Sequence, residues 1–205
     1  MNILVLSPHT DDGEFGCGSI ARFVSEGKNV FYVAFSIAEK SVPPEYPHDI
    51  LSFEVKEAMK VLGIKEENLI LLTYVVREFP ANRQSILDDI LAIKQDFKPG
   101  MVMLPSTHDT HQDHQVIAQE GFRAFKDVTM MGYEQPRNNL SFPTNVFVTL
   151  TERDIQLKIK AIKCYESQVG RIASSVEHYE NLAKIRGMQV GVEYAEVFEA
   201  IRWVM

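Results

Sequence analysis

From its second residue the chain alternates short apolar, strand-forming runs with segments whose apolar residues recur at helical spacing. This alternation implies βαβ units: an α/β, Rossmann-like fold with a mostly parallel sheet and helices on both faces. Residues 2–7, NILVLS, read as a central strand, and the polar, glycine-containing stretch behind them stops it. Ile20, Ala21, Phe23 and Val24 place a helix over 17–26, closed by Gly27. Residues 29–36 give a second strand, the prolines within 37–48 a loop, and 49–62 a helix ending at Leu62-Gly63. A third strand follows over 68–75. Ile86, Leu87, Ile90, Leu91 and Ile93 then line one side of a helix that stops before Pro99-Gly100, and 101–105 is a fourth strand. Farther on, 115–125 reads as helix, 128–133 and 144–149 as strands, and 151–166 as a helix with lysines on its exposed side. The tail reads as a helix over 174–186 and a strand over 196–205. No repeat, low-complexity tract or linker divides the chain, so 1–205 is expected to be a single domain.

Composition narrows the partners. The 205 residues are 45% hydrophobic and 24% charged, the balance of a globular protein long enough to bury a sizeable core. A formal net charge of -7 argues against nucleic acid or an anionic membrane surface, since both require a basic face. No run reaches the ~18 apolar residues of a membrane span, and the first strand lacks a secretory leader's basic start, so the expected setting is cytoplasmic. The two cysteines, Cys17 and Cys164, are far apart and suggest neither a zinc knuckle nor a disulfide.

Two polar clusters interrupt this ordinary pattern. "SPHTDDGEFGCGS" (7–19) puts His9, Asp11, Asp12 and Glu14 directly behind the first strand, and "STHDTHQDHQ" (106–115) puts three of the six histidines behind the fourth. In a doubly wound sheet, sites form beyond the carboxyl ends of the strands where the winding reverses, so the two clusters should face each other. Histidine and carboxylate from two loops suit Zn²⁺ with three protein ligands and an open position. Such a metal acidifies water and polarises a carbonyl, and a free carboxylate beside it serves as general base. Neighbouring aspartates then take different tasks, one on the metal and one on the water. The glycines at 13, 16 and 18 do not follow GxGxxG, and the acids before them repel a pyrophosphate. A phosphoacceptor receiver domain fails too, because the third strand ends in Thr73, Tyr74 and Val75 without the required aspartate.

At these residues the sequence resembles the PIG-L or LmbE-like zinc-dependent de-N-acetylases. The family's opening motif, roughly (A/S)-H-P-D-D-E-x-x-G-x-G-G, corresponds to "SPHTDDGEFGCGS", and its H-P-D-H motif to His111-Gln112-Asp113-His114. Weaker echoes are "EAMKVLG" (57–63), "LKIKAIKCYESQ" (157–168) and "RGMQVGVEYAEVF" (186–198). The resemblance implies zinc ligands His9, Asp12 and His114, and Asp11 as general base. It also implies that His111 stabilises the oxyanion or protonates the leaving amine, with Asp113 orienting its imidazole. The implied reaction hydrolyses an acetamide on an N-acetylated sugar, such as a conjugate of N-acetylglucosamine, to acetate and a free amine.

The chain departs from the pattern in places. Thr10 stands for the motif's proline, Gly13 displaces Glu14 by one position, and Ser19 replaces a glycine. Leu51 occupies the place where many members carry a substrate-contacting arginine, and Arg77 or Arg83 from "VVREFPANRQ" is the candidate replacement. Two alternatives stand beside the sugar deacetylase: a zinc amidohydrolase for a non-sugar amide, and a non-catalytic metal- or sugar-binding protein. Association into a homo-oligomer is left open.

Overall fold

A computed structural model describes residues 1–168 and 176–205. The strands are β1 (Asn2–Ser7), β2 (Asn29–Ala34), β3 (Leu69–Leu71), β4 (Met101–Pro105), β5 (Thr129–Tyr133), β6 (Val146–Leu150) and β7 (Tyr194–Arg202). The helices are α1 (Asp12–Gly16), α2 (Ser19–Ser25), α3 (Ile50–Leu62), α4 (Arg83–Phe97), α5 (Gln112–Ala124), α6 (Glu152–Ile162) and α7 (Val176–Val190). One seven-stranded sheet runs in the order β3-β2-β1-β4-β5-β7-β6. The first five strands are parallel, and β7 pairs antiparallel with both β5 and β6.

Strand alternation divides the core into two layers. Ile3 and Val5 of β1 face a layer holding Ile20 of α2, Val55 of α3 and Ile159 of α6. Leu4 and Leu6 face the opposite layer, with Ile86 and Ile90 of α4 and Ile117 of α5. Both faces of the central strands are thus covered, which explains why they read as continuous apolar runs.

Several boundaries differ from expectation. The expected strand 68–75 is regular only over Leu69–Leu71. Its continuation still bonds to the end of β2, with Leu72 N donating to Ala34 O at 2.8 Å and Tyr74 N to Phe35 O at 3.0 Å, but it does so irregularly at the sheet edge. The helix expected over 17–26 is α2 alone, preceded by the single-turn α1. The helix expected from 151 to 166 starts on a Thr151–Asp154 capping box and ends at Ile162. Its lysines are not all exposed: Lys158 is buried against Glu196 of β7. Of the helix expected over 174–186, positions 174 and 175 lie outside the described residues, and the helix runs on to Val190. The terminal run is the strand β7, inserted between β5 and β6.

Candidate active site and metal centre

The winding reverses between β1 and β4, which pair in parallel with Ile3 opposite Met101 and Val5 opposite Met103. The segment after β1 carries His9, Asp11 and Asp12, and the segment after β4 with the first turn of α5 carries Asp109, His111, Asp113 and His114. Glycine makes the first segment fit. A Cβ on Gly13 would lie 2.4 Å from the Tyr32 ring and one on Gly16 2.3 Å from the Tyr133 ring, so a side chain at either position would push α1 off the strand ends.

The Asp12 carboxylate is the centre of the cluster. Its Oδ2 accepts the His9 amide at 2.9 Å and lies 2.9 Å from His9 Nδ1 and 3.1 Å from His114 Nε2. The donor atoms of His9, Asp12 and His114 all fall within 4.8 Å of one another. Tetrahedral zinc places its ligand atoms about 3.3 Å apart, so this compact triangle fits a divalent ion. Each imidazole is also held from behind. His9 Nε2 lies 3.0 Å from Asp113 Oδ2, and His114 Nδ1 lies 2.8 Å from Asp109 Oδ2. A carboxylate on the second ring nitrogen fixes ring orientation and raises basicity, the usual support of a histidine ligand.

Asp11 sits at the N-cap of α1 but makes no side-chain cap hydrogen bond, so its carboxyl is left to the cleft. Burial, reinforced by the Asp12 charge, pushes the Asp11 carboxyl up to about 7. Burial opposes the charged form of Asp12 as well, but the His114 and His9 imidazoles outweigh it and hold Asp12 well below the usual carboxylate range. Burial disfavours charge on both imidazoles; Asp12 and Asp113 overcome it at His9, raised to about 9, and Asp12 and Asp109 at His114, raised to about 10. His111 behaves differently, since burial and the two neighbouring imidazoles lower its pKa. As the N-cap of α5 it accepts the Asp113 amide on Nδ1 at 3.2 Å, which leaves Nε2 as the protonated donor of the neutral ring.

Asp113 meets both His111 and His9. Its backbone amide, not its carboxylate, orients His111. The carboxylate instead holds His9 and accepts the amides of Arg77 at 2.6 Å and Phe79 at 3.4 Å. Arg77 adopts a positive φ of 71° at that bond and is among the residues that line the cleft, with its guanidinium donating to the Lys40 carbonyl at 3.4 Å. Arg83 points elsewhere: its guanidinium bonds Glu120 of α5 at 2.8 and 2.5 Å. Leu51 does line the cleft, as its sequence position implies. His108 stands apart, 4.0 Å from Glu199, and His48 and His178 are exposed.

The cleft has a volume of about 360 Å³. Among its walls, Gln135, Arg137, Asn138 and Tyr179 escaped the sequence reading, as did Asp109 behind His114. Asp109 lay inside the quoted second cluster, and its spacing of five residues from His114 was the available signal. The others come from chain distant in sequence and carry no local motif.

Comparison with known proteins agrees with this geometry. The family model described as PIG-L, GlcNAc-PI de-N-acetylase, matches residues 4–125 and so includes both clusters. The uncharacterized deacetylase YaiS of Escherichia coli K12 is 29% identical over 171 residues, covering 80% of this chain and 90% of that protein. Two solved structures share the fold at lower identity. A conserved protein of Thermus thermophilus superposes with a TM-score of 0.78 at 24% identity, over 99% of this chain and 95% of that one. The N,N'-diacetylchitobiose deacetylase of Pyrococcus horikoshii, solved with an inhibitor, gives 0.80 at 22% identity, over 97% and 82%. Among the described residues no helix is long and apolar enough to cross a membrane. With a match that spans more than half of the residues and both polar clusters, this chain belongs to the PIG-L, GlcNAc-PI de-N-acetylase, family.

Proposed function

We propose that residues 1–205 act as one cytoplasmic, zinc-dependent domain that hydrolyses the acetamide of an N-acetylated sugar or sugar conjugate to acetate and a free amine. The observation that carries this reading is the convergence of His9, Asp12 and His114 within 4.8 Å, beside an Asp11 carboxyl left open to the cleft. The three would hold the metal, which when bound polarises the amide carbonyl and makes water a better nucleophile.

The protein's own groups supply the remaining chemistry. Asp11 takes a proton from the attacking water at a carboxylate oxygen, a role suited to a carboxyl whose pKa lies near neutrality. His111 donates from Nε2 to the oxygen on which negative charge grows, or to the departing nitrogen, while the Asp113 amide fixes its ring. Asp113 keeps His9 in position. Arg77 supplies the cation that Leu51 does not, a role supported by its place among the residues that line the same cleft. The bond broken is the amide C–N bond, and the amine leaves protonated.

The test is acetate release from a panel of acetamido sugars by protein stripped with chelator and then reloaded with zinc. Activity that tracks the metal and disappears in His114→Ala is expected, and turnover unaffected by either treatment rejects the mechanism. Leu51 in the cleft supports a second reading, a non-sugar amide as substrate, and product analysis over a mixed amide library separates the two. A metal-loaded protein that binds sugar tightly without hydrolysing any of these amides would be a binding protein instead.

A further inference from the structure

Neither segment that carries the metal-ligand candidates supports itself. Asp12 opens α1, a helix of five residues, far below the length at which a helix stands alone in water. Asp109, which backs His114, lies in the irregular stretch between β4 and α5. One further stretch of chain touches both segments. Residues 134–139 follow β5 and lie outside the residues matched by the family model. Gln135, 6% exposed, donates from Nε2 to the Asp12 carbonyl at 2.8 Å. Three residues on, the Asn138 carbonyl accepts Thr110 Oγ1 at 2.8 Å and the Thr110 amide at 3.2 Å, and Asn139 forms an antiparallel bridge with Asp109. Between these two ends the chain is cross-linked on itself. The Gln135 carbonyl accepts the amides of Asn138 and Asn139, each at 2.9 Å, and Asn139 Oδ1 accepts the Gln135 amide at 2.6 Å. Pro136 fixes one φ within it, and Glu134 anchors its start to Arg186 of α7 at 2.5 and 3.2 Å.

We propose that residues 134–139 are a strut that fixes the separation between the segment bearing His9 and Asp12 and the segment bearing His114, with Gln135 and Thr110 as positioning residues at its two ends. The proposal rests on the metal reading above. The contacts of Asp12 with His9 Nδ1 and His114 Nε2 use atoms that would bind the ion, so they cannot also hold the segments once it is bound. Beyond the strand ends, that leaves the His9–Asp113 bond and the strut to set the spacing. Gln135 and Thr110 use none of the ligand atoms, and the turn that joins them transmits a displacement because its own hydrogen bonds resist bending. A site held near its bound geometry before the ion arrives binds it more tightly than one that must first be assembled.

The test measures zinc affinity by competition with a chelating dye, together with the visible absorption of cobalt-loaded protein, whose bands report ligand geometry. Gln135→Met keeps the length of the side chain and removes the donor, and it should raise the zinc Kd by about tenfold. Thr110→Val, which leaves the amide bond to Asn138 in place, should raise it by about threefold. Both ends belong to one strut, so the double variant should stay near the value of Gln135→Met alone, whereas two independent local effects would multiply to about thirtyfold. The cobalt bands of Gln135→Met should shift, a change that loss of stability alone does not produce. An unchanged zinc Kd or unchanged cobalt bands in Gln135→Met, or a double variant weakened by about thirtyfold, overturns the strut. Where Gln135→Met does not fold, Thr110→Val at an exposed position decides the matter, and a zinc Kd equal to that of the wild type overturns the proposal. Wild-type protein that takes up no zinc defeats the metal reading itself, which failure of the strut alone leaves intact.

Discussion

Two buried polar clusters lie at the two ends of α1, and they differ in how their charges are matched. In the first, Lys158 Nζ bonds Glu196 at 2.6 Å and the Phe15 carbonyl at 2.8 Å, while the Glu196 carboxylate also accepts the Gly18 and Ser19 amides, each at 2.7 Å. One ammonium meets one carboxylate, and backbone groups satisfy the rest. In the second, the carboxyls of Asp11, Asp12, Asp109 and Asp113 crowd two imidazoles that favour the charged form, and the cluster opens onto a cleft. Burial of charge is common to both. What separates them is the surplus of negative charge with one carboxyl left uncommitted, the condition under which a divalent ion is bound rather than merely tolerated.

The comparison breaks most visibly at His114. Removing this imidazole as His114→Ala should lower acetate release by about a thousandfold or more and abolish stoichiometric metal binding, read by elemental analysis. The same treatment of the balanced cluster should act on stability instead. Lys158→Met leaves Glu196 charged and buried without its partner, and urea denaturation should show a loss of about 3–5 kcal/mol. If Lys158→Met spared stability and destroyed metal binding, the distinction between the clusters would fail. A smaller effect is expected one layer behind the proposed metal ligands. Asp113→Asn weakens the hold on His9 and should reduce metal affinity by about 10–100-fold, measured by competition with a chelating dye. Least of all should come from Arg83→Gln, since Arg83 faces Glu120, which keeps Arg123 as a second partner at 2.6 Å. KM should stay within about twofold, and a larger rise would return Arg83 to the substrate site.

Much of this was legible before any coordinates. NILVLS announced a central strand because a strand covered on both faces has no polar side to show. The facing of the two clusters followed from the neighbouring of β1 and β4, a consequence of right-handed βαβ winding rather than of any single residue. The sites where sequence reasoning failed have a common cause. Lys158 sits on a helix that periodicity alone renders as lysine-bearing and exposed, and only Glu196, 38 residues later on an antiparallel strand, offsets the cost of its burial. The third strand ran short because β3 is an edge strand, where half of the pairing partners that would hold it straight are missing. The bond from the Asp113 amide to its neighbour His111 is local, but the Asp113 carboxylate reaches across the site to His9, 104 residues away, a pairing no local pattern displays.

The order of residues by itself determined the α/β alternation, the placement of both acidic and histidine-rich turns, and the set of donors suited to a divalent ion. These depend on local periodicity, turn chemistry and donor type, which a linear chain displays directly. Tertiary structure alone decided which nitrogen each carboxylate supports, that Arg77 lines the cleft while Arg83 bonds Glu120, and that Gln135, Arg137 and Tyr179 join the cleft wall. Those outcomes depend on side-chain direction and on contacts between segments far apart in sequence, and only packing fixes them.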